Sequence, residues 1–167
     1  MANRVFLGLG SNKGDRLDYL RRATGFIESN GKCRVIGVSS VYETTPYGPI
    51  EQENYYNAVA EIETGMNLND LYNFVKDSEI KIGRGSGEVK WGPREIDIDI
   101  LFYNNLIYKS DLLKVPHNEI LQRDFVIIPL VEIAPGFIHP EMKQELGKID
   151  LSKIKKHIVR KLDLQIK

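Results

Sequence analysis

The 167-residue chain has one cysteine, no net charge and no apolar run of transmembrane length, and each shortage removes a class of protein. Cys33 alone cannot close an internal disulfide, which fits a reducing compartment and a small core residue on a strand. The three histidines and Cys33 nowhere fall at zinc spacing. Lys+Arg and Asp+Glu each total 23, so no global field favours nucleic acid or an anionic membrane as a partner. The apolar stretch after Met1-Ala2-Asn3-Arg4 is too brief and glycine-rich for a signal peptide, so the expected location is the cytoplasm. A Walker A pattern is missing, which excludes a P-loop fold, and there is no linker, repeat or low-complexity segment. What is present, 42% hydrophobic and 28% charged residues, describes one soluble domain over 1–167.

The apolar spacing orders the elements. Val5 to Leu9 reads as a strand entering the Gly8-Leu9-Gly10-Ser11-Asn12 turn. Asp15 is placed to cap a helix carrying Leu17, Leu20, Ala23 and Ile27, which Ser29-Asn30-Gly31 ends. Val35 to Glu43 and Tyr56 to Glu63 read as strands, separated by a loop through Pro46, Gly48 and Pro49. Asn67 should cap a second helix with Leu68, Leu71, Phe74, Val75, Ser78 and Ile82 on one side, and Gly83 should stop it. Residues 84–90 lack an apolar period and should form a mobile loop. A strand follows, giving βαββαβ: an α+β, ferredoxin-like antiparallel sheet with helices on one face. Phe125 to Ile133 reads as a further helix despite Pro129. The spacing of Leu151, Ile154, Ile158 and Leu162 predicts a helical C-terminal extension with a basic, solvated face.

The most informative run is Trp91-Gly92-Pro93-Arg94-Glu95-Ile96-Asp97-Ile98-Asp99-Ile100-Leu101-Phe102. Its alternation puts Ile96, Ile98, Ile100 and Phe102 on one strand face and Asp97 and Asp99 on the other, about 7 Å apart. Asp-x-Asp is ordinarily the wet face of an edge strand. Here a Gly-Pro turn with Trp91 and Arg94 adjoins it, which an edge strand does not require. Aspartate is a poor strand former, and paired carboxylates repel unless hard cations such as Mg²⁺ lie between them and a phosphate. Arg84 and Arg94 bracket the glycine loop, with His117 and Arg123 further on, so a metal–polyphosphate site is the reading of these residues together. The glycine run at 8–14 is a poor dinucleotide fingerprint because its third glycine comes a residue late. Gly-Ser with Asp-x-Asp also suggests a polymerase-β-type nucleotidyltransferase, but most of a domain separates the two motifs. A ferredoxin-like RNA-binding module would need sheet aromatics and a basic surface.

The chain resembles the 6-hydroxymethyl-7,8-dihydropterin pyrophosphokinase family. The resemblance rests on Gly10-Ser11-Asn12, Ser39 to Thr44, Gly48-Pro49, Asn54 to Asn57, the Trp91–Ile100 core, Val115-Pro116-His117 and Arg123-Asp124-Phe125. It implies a core at about 3–135 with a C-terminal extension at about 136–167, and transfer of pyrophosphate from ATP to the pterin hydroxymethyl group, with release of AMP, in folate biosynthesis. Asp97 and Asp99 would hold two Mg²⁺ ions, and Arg84 and Arg94 would clamp phosphates with Trp91 packing above. Glu79, Ile100, His117 and Arg123 would border ATP. The pterin would lie between Tyr55 and Phe125, with Asn57 and the chain at Thr44 and Tyr47 reading its polar edge. Closure of the loops around Pro46–Tyr55 and Arg84–Arg94 would exclude water. Neighbouring folate-pathway enzymes would be the protein partners. Lys76, Ser86, Asn118 and Glu95 depart from the family pattern.

Overall fold

The computed structural model describes residues 2–87 and 89–167. Strand β1 (Asn3–Ser11) leads into helix α1 (Arg16–Ser29), which starts where the Asp15 side chain accepts the N–H of Asp18 at 3.0 Å. A cap of this kind contributes about 1 kcal/mol. Strands β2 (Cys33–Val38), β3 (Val41–Thr44) and β4 (Tyr55–Thr64) follow. Helix α2 (Leu68–Ile82) is capped by Asn67 on Asp70 and closed at Gly83, whose φ of 131° favours glycine. The acidic run forms β5 (Asp97–Tyr103). The remainder is a small β6 (Tyr108–Lys109) and β7 (Lys114–Val115) ribbon, helix α3 (Asp124–Ile133), and a β8 (Ile138–His139) and β9 (Gln144–Glu145) ribbon. A 3₁₀ turn at Leu146–Lys148 precedes strand β10 (Ile158–Leu162).

The main sheet runs β10-β3-β4-β1-β5, with β2 also on β4, and its ladders are antiparallel throughout. This is the expected α+β, ferredoxin-like sheet. Val5, Leu7, Leu9, Ile98 and Ile100 point to one side, where Leu20, Ala23 and Ile27 of α1 and Leu71, Val75 and Ile82 of α2 bury them. That face meets the expected helix packing.

The structure corrects the expectations at four places. Phe102 does not share a face with Ile100: a bulge opposite Phe6/Leu7 inserts Leu101, so Leu101 and Phe102 both turn to the opposite side. There they meet Ile127 and Leu130, so α3 covers the second face and the helices are not all on one. The strand expected at Val35–Glu43 is two. At the break, Ser39 Oγ accepts the Val59 N–H at 2.8 Å, a side chain replacing a ladder partner. Finally, the C-terminal extension is not helical. Leu151 and Ile154 pack on the second core, and residues 158–162 pair with β3 as an edge strand. The β3 edge carries N–H and C=O groups that need partners, and pairing them outweighs the weak helical spacing. Among the described residues no helix is long and apolar enough to cross a membrane.

Candidate active site

The glycines of β1 lay the floor. Gly8 pairs with Asp99 and Gly10 with Asp97, so both carboxylates stand on the sheet face that α1 and α2 leave uncovered. A Cβ on Gly10 would lie 2.7 Å from Asn57 Oδ1, and one on Gly8 would lie 3.4 Å from Leu101. Asn57 in turn donates to Thr44 Oγ1 at 2.7 Å, so it has little room to retreat. With the roles the resemblance implies, Gly10→Ala should fold but raise the KM for the pterin read by Asn57 by about tenfold, one lost or misplaced hydrogen bond, with the KM for ATP unchanged. Steady-state kinetics in each substrate check this, and equal effects on both would rule it out.

A cavity of about 360 Å³ opens over this floor. At one end stand Asp97, Asp99, Arg84 and Arg94, at the other Tyr55, Asn57, Thr44 and Phe125, with Tyr47 and Trp91 along the rim. His117 lines it beside the acids, and Arg123 lines it with its guanidinium 4.8 Å from the Tyr47 ring and 5.6 Å from the Phe125 ring. Twelve of the fourteen residues singled out from the sequence thus share one cleft.

The two others stand apart. Glu79 is buried behind the acids, accepting the Ile98 N–H at 2.7 Å, Lys76 at 3.1 Å and Arg84 at 2.7 Å. Burial pushes its carboxyl upward against the pull of Lys76. It braces β5 and orients two cations. Ile100 faces the helical core and lines a neighbouring cavity of about 570 Å³, which Leu112 and Asn118 also border. Lys76, Asp99, His117 and Glu119, the last paired with Arg123, line both cavities, so the two meet at the acids.

The cations crowd Asp97. Arg84 donates to it at 3.1 Å while also holding Glu79, and Arg94 lies 3.9 Å away. Asp99 is served less well: Lys76 Nζ is 4.0 Å away, and loss of water together with the Asp97 charge pushes its carboxyl up to about 7. Burial lowers Lys76, but Asp99, Glu79 and Asp97 outweigh that and hold it above the ordinary lysine value. His117 is held below the usual histidine value by burial and then by Arg123, so the ring is neutral at pH 7. Its Nδ1 accepts the Glu119 N–H at 3.2 Å, which leaves the proton on Nε2.

Two loops meet above the cleft. The Tyr47 and Trp91 rings lie 5.3 Å apart, and Gln52 donates to the Trp91 carbonyl at 2.6 Å. Asn12 ties both loops to the end of β1. It donates to Gln52 and to the Glu53 carbonyl, accepts the Arg94 N–H at 2.8 Å, and gives its own N–H to the Arg94 carbonyl at 3.0 Å. In the sequence Asn12 stands out only through its turn and the Gly10-Ser11-Asn12 segment of the resemblance; its burial and its bonds to both loops are not readable there. Glu95, which precedes β5, pairs with Lys13 at 2.7 Å and accepts the Gly85 N–H.

The fit to hard cations follows from the donors. Two carboxylates share one face, one of them poorly compensated, while no three His, Cys, Asp or Glu side chains converge among the described residues. A divalent cation held by the two acids would complete its shell with water and substrate oxygens, as Mg²⁺ does beside phosphates.

Comparison with known proteins agrees. A sequence model described as 7,8-dihydro-6-hydroxymethylpterin-pyrophosphokinase matches residues 6–135. The Aquifex aeolicus 2-amino-4-hydroxy-6-hydroxymethyldihydropteridine pyrophosphokinase is 42% identical over 142 residues, 85% of this chain and 87% of that protein. The folic acid synthesis protein FOL1 of Dictyostelium discoideum is 38% identical over 90% of this chain, which spans only 22% of that longer relative. Among solved structures, wild-type Plasmodium falciparum HPPK-DHPS with pterin and p-hydroxybenzoate superposes with a TM-score of 0.68 at 16% identity, covering 88% of this chain and 41% of that one, a likeness of fold. On the matched residues and these relatives, the chain belongs to the 7,8-dihydro-6-hydroxymethylpterin-pyrophosphokinase family.

Proposed function

We propose that the cleft transfers pyrophosphate from ATP to the hydroxymethyl group of 6-hydroxymethyl-7,8-dihydropterin, releasing AMP, as a cytoplasmic step of folate biosynthesis. The observation that carries this reading is one cavity with paired acids and arginines at one end and aromatic walls with an asparagine at the other. The flat heterocycle fits between Tyr55 and Phe125. There Asn57, fixed by Thr44, and the chain near Tyr47 read its polar edge. Each aromatic contact adds about 0.5–1.5 kcal/mol beyond area burial.

The nucleoside takes the neighbouring cavity beside Ile100, and the triphosphate crosses the junction that Lys76, Asp99 and His117 share. Arg84, Arg94 and Arg123 bind its oxygens, with neutral His117 donating from Nε2. Asp97 and Asp99 are the residues that would hold two Mg²⁺ ions. Bound Mg²⁺ neutralises charge on the phosphates and acidifies a coordinated hydroxyl.

The hydroxymethyl oxygen then attacks the β-phosphorus, its proton departs, and the bond to the α-phosphate oxygen breaks. Attack at the central phosphorus needs charge balanced on both sides of that atom, and the acids and arginines are arranged around one point. The loops that meet at Tyr47 and Trp91 keep water out, which limits hydrolysis of ATP. The core to about residue 135 and the extension from about 136 act as one domain, and any protein partners are neighbouring folate-pathway enzymes.

Incubation with the dihydropterin alcohol, ATP and magnesium should yield AMP and pterin diphosphate in equal amounts by chromatography. Release of ADP or of free pyrophosphate would instead mark a different nucleotide transferase on this scaffold.

A further inference from the structure

Residues 155–162 lie beyond the segment matched by the family, 6–135, yet they fasten two parts of the pterin end from behind, the Thr44–Tyr47 loop and the Phe125 wall. The His157 carbonyl accepts the Thr45 N–H at 2.9 Å. The Asp124 carboxylate accepts the N–H groups of His157 and Ile158 at 2.8 and 2.9 Å. Lys155 makes a parallel β-bridge with Arg123. The tail therefore joins the Thr44–Tyr47 loop to the start of α3, two segments far apart in the chain that carry the polar edge and one aromatic wall of the slot.

The His157 side chain repeats the connection. Its Nδ1 lies 3.1 Å from Thr45 Oγ1. Its ring stands edge-on to Phe125, with centroids 5.8 Å apart at 88°, and 5.6 Å from Tyr47 at 53°. The residue is only 8% exposed and does not line the cavity. Its Nε2 is buried with no hydrogen-bond partner. A phenylalanine filling the same space would avoid that desolvation cost, so packing alone does not account for a histidine here.

We infer that His157 is a positioning residue of the pterin site: it seats Phe125 and Tyr47 and tethers Thr45, which makes the C-terminal segment part of the substrate pocket. The inference rests on the reading of Phe125 and Tyr47 as pterin contacts. A slot held in shape before substrate arrives spends less binding energy on ordering its walls. The effect falls mainly on pterin affinity: His157 touches neither acid, and it reaches the phosphate side only through Arg123, whose guanidinium lies 4.8 Å from the Tyr47 ring and 5.6 Å from the Phe125 ring.

The test is steady-state kinetics of the full-length chain carrying His157→Ala, His157→Phe or His157→Asn, with thermal unfolding of each and Phe125→Ala alongside. His157→Ala should raise the KM for the pterin about three- to tenfold, the range of one aromatic contact and one hydrogen bond, with kcat and the KM for ATP within about twofold. His157→Phe keeps the ring but loses the tether, and His157→Asn keeps the tether but loses the ring, so each should show part of the rise. His157→Phe also removes the orphaned nitrogen, so it should be at least as stable as the wild type, and its KM defect then cannot come from unfolding. An unchanged pterin KM in His157→Phe and His157→Asn, or an equal rise in the KM for ATP, overturns the inference. If Phe125→Ala raises the pterin KM in that case, the pocket assignment survives and only the positioning role falls. If Phe125→Ala also has no effect, both fall together.

Discussion

Asp97→Asn should lower kcat/KM by about a thousandfold or more, the scale of losing a charge that supports the transition state, while the fold survives. The asparagine keeps the size of the side chain, and Arg84 retains Glu79 at 2.7 Å, so nothing at this site is left unsupported. Asp99→Asn should be as damaging to turnover but should act on stability in the opposite direction. In the metal-free protein the Asp99 carboxyl is pushed up to about 7 by burial and by Asp97, against 3.8 for an ordinary aspartate. An acid with a raised folded-state value binds its proton more tightly in the folded protein. Its contribution is therefore fully present below about pH 4 and lost as pH rises through about 7. Removing the titrating carboxyl abolishes that loss. In EDTA at about pH 7.5, Asp99→Asn should melt about 2–4 °C higher than wild type, the shift from roughly 1 kcal/mol in a domain of this size after allowance for solvent screening. The difference should vanish near about pH 4. Adding magnesium should stabilise the wild type and not the variant. Near-normal turnover in Asp97→Asn, or a lower melting temperature for Asp99→Asn in EDTA at that slightly alkaline pH, would sink the reading of these two acids as metal ligands.

The acidic strand was legible because its information is local. Period-two alternation assigned the faces of Asp97 and Asp99, and the helix limits at Asp15, Asn67 and Gly83 came from capping chemistry in a few neighbouring residues. Nonlocal facts were out of reach. The bulge that sends Phe102 to the far face depends on the register of β1 against β5, and no pattern within β5 announces it. The tail shows the same limit: Ile154, Ile158 and Leu162 are compatible with a helix until the open edge of β3 is known. For the site, the resemblance supplied Tyr55 and Phe125, which composition alone would leave in the core. It could not show that Glu79 stands behind the acids, or that Asn12 joins both loops, because each of those roles is a set of hydrogen bonds between segments distant in sequence.

Arg84→Met should lower kcat/KM for ATP by about a hundredfold, and Arg84→Lys should recover only a small part of it. In the structure one nitrogen of Arg84 reaches Glu79 at 2.7 Å and Asp97 at 3.1 Å, holding two acids that would otherwise repel. The planar fork can keep Glu79 on one edge while offering its other N–H groups to a phosphate, whereas an ammonium presents a single compact charge. On the proposed reading, loss of the guanidinium would remove a charge-assisted contact to the triphosphate, about 1.5–3 kcal/mol and so roughly ten- to a hundredfold, and would also free Asp97 from its orienting partner. Arg94 cannot substitute fully, since it lies 3.9 Å from Asp97 and its backbone is fixed by Asn12. The variant should lose nucleotide affinity in titrations with a non-hydrolysable ATP analogue, with binding of the pterin alone unchanged. Equal loss of both ligands would mean that Arg84 supports the cleft as a whole, and undiminished nucleotide binding would remove it from the phosphate site. The contrast matters because Arg84 sits on the loop side of the acids: a residue that pairs with Asp97 before ATP arrives and with phosphate afterwards couples loop position to nucleotide binding.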